Sequence, residues 1–331
     1  MPFPLYRCPG GVAFLDDDEA WLEMLAEVMP ARWPVSLHLH PSSCIQQLQQ
    51  QATRQDADDW QQRDMLDRWR DGQPLIPQIL RYWHGDAMAR HTLTRVCVVD
   101  YSMPAMSGLQ VLAQISPWQG SRILLTGRAD EQIAVDAFNA GLIEQYIPKQ
   151  NRDIARHLTE AIQRRLDQPR AEQALTWRAT LSREQLGWLN PAGVSQPLLG
   201  WMATLGLVEH IVIGDPFGIL ALDADGQACW LQLEPEDRLA ELAELAVCHR
   251  LDPAGVQAIR NGRQLVNIEL CQSLGRESVQ WAPAVPFGDG AALLVAAFRL
   301  PEELCPGRER SYNHFLQTSG PRVPMELSAL P

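Results

Sequence analysis

Short apolar runs alternate with longer amphipathic stretches along the first half of the chain. The runs are bounded by glycine, aspartate or other polar residues, as is typical of strands buried on both faces of a sheet. After the first run, Trp21, Leu25 and Val28 recur at helical spacing behind Asp18, a residue type that often caps helices. Strands are predicted at 12–15, 35–40, 96–99, 123–125 and 146–147, and helices at about 19–29, 108–116, 130–140 and 153–166. This alternation predicts an α/β domain built on a doubly wound parallel sheet of five strands.

Polar side chains follow four of these strands at the points where the strands end. Asp16 and Asp17 follow the first strand, Asp100 the third, Thr126 the fourth and Lys149 the fifth. Ligands of doubly wound sheets bind beyond the carboxyl ends of the strands, so we expect these five side chains to share one crevice. Three crowded carboxylates repel one another unless a cation joins them, and their oxygens suit Mg²⁺. Aspartates are also common as helix caps, but that explanation fits a set of five residues on four strands poorly.

Four segments that contain these residues resemble one family. In order along the chain they are VAFLDDDEAWLEML, VCVVDYSMPAMSGLQVL, ILLTGRADEQIAVDAFNAG and QYIPK. They resemble the receiver domain of two-component response regulators. The resemblance covers residues 1–167 with an interruption, and it implies a flavodoxin-like fold that uses Mg²⁺ to accept a phosphoryl group from a sensor histidine kinase or a phosphotransfer protein.

The resemblance also implies a role for individual residues, carried over position by position. Asp100 is the implied phosphoacceptor, and it is expected to bind Mg²⁺ together with Asp16, Asp17 and the backbone carbonyl of Ser102. Thr126 is the implied switch hydroxyl, and Lys149 is the implied phosphate-binding ammonium. Tyr146 is the implied aromatic residue whose rotamer follows the switch.

Charge and composition narrow the possible partners. The net charge is −12, with 17 basic and 21 acidic residues up to residue 170 and 11 basic and 19 acidic residues after it, so nucleic-acid binding by the second half is not expected. Of the 28 basic residues, only Lys149 is a lysine, and it falls on the receiver lysine position. The seven cysteines form no CxxC pair, which argues against a zinc site. No apolar run reaches the roughly 20 residues of a membrane span and no export signal is visible, so we expect a cytoplasmic protein without a membrane partner.

Residues 50–94 interrupt the receiver pattern. Asp17 and Asp100 lie 83 positions apart, a separation longer than a minimal receiver needs. Tryptophans and leucines at helical spacing predict two helices that are broken near Gly72, Pro74 and Pro77. We expect their apolar faces to pack back on the receiver. The alternative is a docking surface, because Trp and Arg commonly anchor protein interfaces.

The second half is predicted to begin with a connecting helix and linker at 168–190. An output domain then occupies 191–331. Strands are predicted at 209–213, 217–224, 227–234, 264–271, 278–284 and 291–299, with helices at 236–251 and 253–261 between them. Asp225-Gly226 predicts a tight hairpin turn. The order predicts an α+β domain on a mainly antiparallel sheet, with a PAS-like or GAF-like outline.

The predicted function is therefore a response regulator whose phosphorylation at Asp100 controls a C-terminal domain that binds a protein or a small ligand. Enzymatic or DNA-binding signatures are not visible in that domain. An unrecognised enzyme, a dimer-built DNA-binding module and a receiver-like scaffold that is never phosphorylated stay open as alternatives, although the intact acidic residues and Lys149 argue against the scaffold. We also expect a homodimer, because an apolar stripe from Ile154 to Leu166 continues through Ala174, Leu175 and Trp177. In the alternative, a monomer, Leu175 and Trp177 pack inside the output domain.

Overall fold

The structure is a computed structural model, and it describes residues 2–85, 90–104, 106–127, 131–168, 170–319 and 324–325. No helix among these residues is both long enough and apolar enough to cross a bilayer. In chain order the first half contains β1 (Tyr6–Arg7), β2 (Gly11–Leu15), α1 (Glu19–Val28), β3 (Val35–His38), α2 (Pro41–Arg70), α3 (Leu75–Trp83), β4 (Thr94–Asp100), α4 (Gly108–Gln114), β5 (Ser121–Thr126), α5 (Glu131–Asn139), β6 (Gln145–Pro148) and α6 (Ile154–Asp167).

Helices and short strands alternate in the second half as well. In chain order it contains α7 (Ala171–Arg178), α8 (Arg183–Leu189), α9 (Ala192–Thr204), β7 (Leu207–Gly214), β8 (Phe217–Asp223), β9 (Ala228–Pro235), α10 (Leu239–Cys248), α11 (Pro253–Arg260), β10 (Gln264–Val266), α12 (Ile268–Ser273), β11 (Trp281–Pro283), β12 (Val285–Phe287), β13 (Leu293–Arg299), α13 (Tyr312–Thr318) and β14 (Pro324–Met325). Short 3₁₀ turns lie at 236–238, 289–291, 302–304 and 308–310.

Contacts divide the chain into two compact units. The parallel-sheet unit consists of residues 9–60, 88–168 and 315–331. Its strands are ordered β14-β3-β2-β4-β5-β6, and every pairing is parallel. The five strands from β3 to β6 have the order of flavodoxin-like sheets, which confirms the predicted fold class of this region. The sixth strand, β14, was not predicted; it comes from the C-terminal segment and pairs with β3.

Separate hydrophobic clusters cover the two faces of this parallel sheet, because its strands send alternate apolar side chains to opposite sides. Ala13, Cys97 and Leu124 face a cluster with α2, α4 and α5. Phe14 and Val98 face a cluster with α1 and α6. Burial on both faces explains why these strands appear in the sequence as continuous apolar runs.

The antiparallel-sheet unit consists of residues 1–8, 61–87 and 169–314. Its sheet has the order β1-β7-β8-β9-β13-β12, and a separate two-stranded sheet pairs β10 with β11. The predicted hairpin is present as β8 and β9, and it turns at Gly226, whose φ of 85° suits a residue without a Cβ. An α+β domain on a mainly antiparallel sheet is thereby confirmed. The two units interleave along the chain, whereas the boundaries predicted from the sequence, 1–167, 168–190 and 191–331, are contiguous.

The interruption at 50–94 packs differently from the expectation. Helix α2 starts at Pro41 and runs unbroken to Arg70, and α3 follows after Gly72, which has a φ of 92°. Residues up to Ala52 pack in the parallel-sheet unit, as expected. From residue 61 onward the expectation is wrong, because the apolar side chains join the core of the antiparallel-sheet unit. They are Met65, Leu66, Leu75, Ile76, Ile79, Leu80, Tyr82 and Trp83.

The predicted connecting helix is present as α7. It is separated from α6 by Gln168, which is extended, as is usual for a residue that precedes proline. Two other expectations for the second half, on the dimer contact of Trp177 and on the strand 264–271, are wrong. Trp177 is fully buried in the antiparallel-sheet unit, so it cannot meet a copy in a second chain, whereas Leu175 is 67% exposed. The predicted strand 264–271 ends at Val266 and continues as helix α12, since a short apolar run does not distinguish a strand from a buried helix.

Candidate functional site

Asp100, the last residue of β4, lies at the centre of the carboxyl edge of the parallel sheet. It is 4% exposed and its Cα pairs with Leu125 of β5. Its Oδ1 is 2.8 Å from Nζ of Lys149, and its Oδ2 accepts a hydrogen bond of 3.2 Å from the backbone N–H of Ser102. Gly108 must be small, because a Cβ there would lie 2.3 Å from the carbonyl oxygen of Asp100. The loop after β4 is therefore folded tightly beside the carboxylate.

Asp16 and Asp17 follow β2, the strand next to β4. Asp16 is 2% exposed, whereas Asp17 is exposed. Oδ1 of Asp16 accepts a hydrogen bond of 3.1 Å from the N–H of Asp18, and Oδ2 lies 2.7 Å from Nζ of Lys149. One carboxylate oxygen each from Asp16, Asp17 and Asp100 lie within 4.8 Å of one another. The structure thus brings together the three carboxylates that the sequence predicted to meet.

Lys149, the residue after β6, extends its side chain into the same crevice. Its backbone N–H donates a hydrogen bond of 2.9 Å to the carbonyl of Thr126, which fixes the start of its side chain at the sheet edge. Burial lowers the pKa of Lys149, but the hydrogen bonds to Asp100 and Asp16 outweigh it, so the pKa lies above its ordinary value. Burial raises the pKa of Asp16 above its ordinary value, although Lys149 works against this shift. The lysine is a firmly held cation between two buried carboxyl groups.

Thr126, the last residue of β5, supplies a buried hydroxyl at the same sheet edge. The residue is fully buried, and its Oγ1 has no hydrogen-bond partner among the residues that the structure describes. A buried hydroxyl without a hydrogen-bond partner is costly, so this oxygen is available to a group that enters the crevice. Tyr146 lies on β6, half-buried against the cluster that contains Leu124 and Ile143.

The donor set fits Mg²⁺. Three carboxylates face one lysine, so the crevice carries an excess of negative charge, and all the candidate ligands are hard oxygen atoms. Asp16, Asp17 and Asp100 are the side chains that can hold the ion. The backbone N–H of Ser102 turns toward Asp100, and its carbonyl stays a predicted ligand.

One neighbour of this site was missed by the sequence reasoning. Trp21 was identified only as part of an amphipathic pattern, but Nζ of Lys149 lies over its ring, 5.6 Å from the centroid. The signal in the sequence was weak, since a tryptophan in the first turn of a helix is usually a core residue. Only the packing of α1 against the sheet brings Trp21 near Lys149.

Comparison with known structures gives a match over almost the whole chain. The structure of the Legionella pneumophila response regulator LqsR is similar with a TM-score of 0.70 and 20% sequence identity, covering 96% of this chain and 97% of that chain. The chain has the two-domain fold of a response regulator. The resemblance indicated by the four sequence segments is confirmed at the level of the fold. No protein-family model and no curated protein matches the sequence.

Two receiver domains are also similar to part of this response-regulator fold. A CheY-like receiver domain protein from Methanospirillum hungatei is 18% identical, with a TM-score of 0.31, and covers 48% of this chain and 95% of its own. The signal receiver domain of an HD domain-containing protein from Pseudomonas fluorescens is 19% identical, with a TM-score of 0.32, and covers 49% of this chain and 96% of its own.

The antiparallel-sheet unit of the response-regulator fold carries no comparable group of metal-ligating side chains among the described residues. Its most perturbed carboxyl group is Glu234 at the end of β9, where burial raises the pKa to about 8. A groove of about 580 Å³ in this unit is lined by Glu236, Asp237 and Arg260 over an apolar floor. Glu234 is not one of the lining residues, but its cross-strand partner Leu294 is, so the perturbed carboxyl group belongs to a strand that borders the groove.

Proposed function

We propose that this protein is a two-component response regulator that accepts a phosphoryl group on Asp100 with the aid of Mg²⁺. The observation that carries the proposal is the group of three carboxylates, one lysine and one unpartnered buried hydroxyl at a single edge of the parallel sheet. The fold shared with a Legionella response regulator over 96% of this chain supports it. The donor in this proposal is a sensor histidine kinase or a phosphotransfer protein.

In the proposed reaction, the bond from phosphorus to the donor nitrogen breaks while a bond from phosphorus to a carboxylate oxygen of Asp100 forms. Bound Mg²⁺ supplies charge neutralisation between the acceptor and the phosphoryl oxygens. Asp16, Asp17, Asp100 and the carbonyl of Ser102 are proposed to hold that ion. The Lys149 ammonium binds a further phosphoryl oxygen, so this chain contributes positioning and electrostatics rather than a separate acid or base.

The proposed switch follows from the unpartnered hydroxyl of Thr126. A phosphoryl oxygen on Asp100 gives Oγ1 the acceptor that it lacks among the described residues, and this draws the end of β5 toward the acceptor. Tyr146, half-buried on the adjacent strand β6, is the proposed aromatic that follows this movement.

The proposed output is binding of a protein or a small ligand by the antiparallel-sheet unit. The acidic balance of the second half argues against a DNA-binding output.

A homodimer is part of the proposal, in a form that differs from the predicted one. Because Trp177 is buried, the interface is assigned instead to the parallel-sheet unit, where Ile133, Val135 and Phe138 of α5 are between 37% and 51% exposed. Phosphorylation at Asp100 is expected to promote this dimer. Light scattering with and without acetyl phosphate tests it, and a monomer under both conditions at tens of micromolar would contradict it.

Labelling by a small phosphodonor tests the central claim. Acetyl phosphate with Mg²⁺ should phosphorylate the purified chain, and Asp100→Asn should abolish the labelling because the acceptor oxygen is lost. Asp136→Asn, which changes an exposed carboxylate on α5, is the matched control and should be labelled like the wild type. Undiminished labelling of the Asp100 variant would overturn the assignment. Lys149→Arg should be labelled slowly, since a planar guanidinium cannot present a compact charge between two carboxylates.

A further inference from the structure

Trp21 is the residue beside the proposed phosphorylation site to which no role has yet been given. It occupies the first turn of α1, where its backbone N–H donates a hydrogen bond of 3.2 Å to Oδ1 of the capping residue Asp18. Its half-buried side chain packs against the cluster between α1, α6 and the sheet. The position of the indole is therefore set by a helix cap and by a hydrophobic core, both of which are independent of any ligand.

Lys149 has three partners among the described residues. Its Nζ lies 2.7 Å from Asp16, 2.8 Å from Asp100 and 5.6 Å from the centroid of the Trp21 ring. A cation within about 6 Å of an indole face is attracted by the negative face of the ring, and the attraction is stronger when the pair is partly desolvated, as it is here with the lysine side chain 27% exposed.

These three partners differ in one respect. Asp16 and Asp100 are also the proposed ligands of Mg²⁺, and a carboxylate that binds the ion attracts an ammonium less strongly. Trp21 is the one partner of Nζ, among the described residues, that a metal does not recruit. A lysine on a flexible four-carbon stem would otherwise gain freedom to leave the crevice at the stage when it is required.

We infer that Trp21 is a positioning residue for phosphoryl transfer, which holds the Lys149 ammonium in the crevice through the face of its indole ring once the carboxylates bind Mg²⁺. This inference deepens the proposed function and rests on it. The indole does not contact the phosphoryl group in this account; it acts through Lys149.

The single lysine of the chain allows a direct measurement. Protein grown on lysine labelled with ¹³C at Cε gives one resonance, that of Lys149. Protons over an aromatic face are shifted upfield, so in the full chain without metal or phosphodonor the Hε signal should lie upfield of free lysine. Addition of Mg²⁺ should preserve that shift in the wild type. In Trp21→Leu the upfield shift should be lost, and Mg²⁺ should move the signal to the position of free lysine; Trp21→Phe, which keeps an aromatic face, should restore part of the shift.

Acetyl phosphate labelling supplies the functional measurement. Trp21→Leu should slow labelling of Asp100 about three- to tenfold, and Trp21→Phe should recover most of the rate. The matched control is Trp33→Leu, which removes a tryptophan from the same hydrophobic cluster, away from Lys149. It should lower stability while leaving the lysine resonance and the labelling rate nearly unchanged.

The outcomes separate the two claims. A lysine signal that is the same in the wild type and in Trp21→Leu, with and without Mg²⁺, overturns the inference whatever the labelling result. Equal labelling rates for the wild type and Trp21→Leu also overturn it and leave the proposed function intact. Absence of labelling in the wild type overturns the proposed function itself, and with it the role of Trp21 in transfer, even where the ring shift is present.

Discussion

Named buried polar groups of the two units have different surroundings. In the parallel-sheet unit, the hydroxyl of Thr126 has no hydrogen-bond partner among the described residues, and Lys149 pairs with two of the three clustered carboxylates. In the antiparallel-sheet unit, the indole N–H of Trp83 donates to Glu209 at 2.8 Å and that of Trp177 donates to Gln62 at 2.9 Å. The Thr126 hydroxyl makes no hydrogen bond to a described residue, whereas the two indole N–H groups are satisfied within the fold.

Strand direction explains the difference. Parallel strands end at the same edge of the sheet, so residues 16, 100, 126 and 149 converge although they are far apart in the chain. Antiparallel strands distribute their ends over both edges, and in this unit the buried polar side chains join β1, α2, α3, α7 and β7 to one another. These polar groups of the first unit gather at one sheet edge, whereas the indole contacts of the second unit hold separate chain segments together.

The largest expected effect breaks one of these internal contacts. Trp83→Ala should lower the free energy of unfolding by about 3–5 kcal/mol, because it removes a fully buried ring and the hydrogen bond to the buried Glu209. Urea denaturation followed by circular dichroism measures the change. Trp60→Ala, at a tryptophan that is 66% exposed on α2, is the control and should cost little. Equal effects of the two substitutions would show that α3 is not part of the second core.

A smaller, pH-dependent effect is expected at Glu234. Burial raises its pKa in the folded state to about 8, so between its ordinary value near 4.5 and pH 8 the folded state binds a proton that the unfolded state has released. The contribution of Glu234 to the free energy of unfolding is therefore fully present below pH 4.5. It decreases by about 1.4 kcal/mol per pH unit as the pH rises from there to 8.

Glu234→Gln removes that dependence. The variant should exceed the wild type in stability by a few kcal/mol at pH 8.5, with little difference at pH 5, in thermal or urea denaturation at the two pH values. The exposed neighbour Glu236→Gln serves as the control and should change stability little at either pH. Equal stability of Glu234→Gln and wild type at pH 8.5 would mean that Glu234 is ionised in the fold without cost.

Removal of one buried polar group from each unit should change the free energy of unfolding differently. Thr126→Val should leave stability unchanged or raise it by about 1 kcal/mol, since the buried oxygen has no partner to lose. Gln62→Leu in the antiparallel-sheet unit should instead cost about 1–3 kcal/mol, because the N–H of the buried Trp177 loses its acceptor. Urea denaturation without ligand measures both. A clear loss of stability in Thr126→Val would show that the hydroxyl is satisfied in the fold.

The smallest effect is expected on the surface of α2. Arg63 pairs with Glu172 at 3.1 Å, but both side chains are about half exposed, so Arg63→Glu should change stability by less than about 1 kcal/mol. Labelling by acetyl phosphate should be unchanged, with Arg70→Glu as a second exposed site. A marked loss of phosphoryl transfer from the cognate kinase, with labelling by acetyl phosphate intact, would support the docking surface considered for this region.

The parallel sheet and the side chains at its carboxyl edge were predictable from the amino-acid sequence. This was possible because buried strands appear as local apolar runs, and because the residues at their ends form motifs that depend on few neighbours. The hairpin at Gly226 was predictable for the same reason, since a tight turn is decided by two or three residues.

The core that each amphipathic helix joins depends on tertiary packing and was not predictable from the sequence. An apolar stripe indicates that one face of a helix is buried, but not which element packs against it. For this reason residues 61–83 were predicted to pack on the receiver and Trp177 in a dimer interface, whereas both belong to the core of the antiparallel-sheet unit. The pairing of β14 with β3, the raised pKa of Glu234 and the approach of Trp21 to Lys149 are likewise contacts between segments distant in the chain. Such contacts depend on the burial of several elements at once, and no local pattern of residues encodes them.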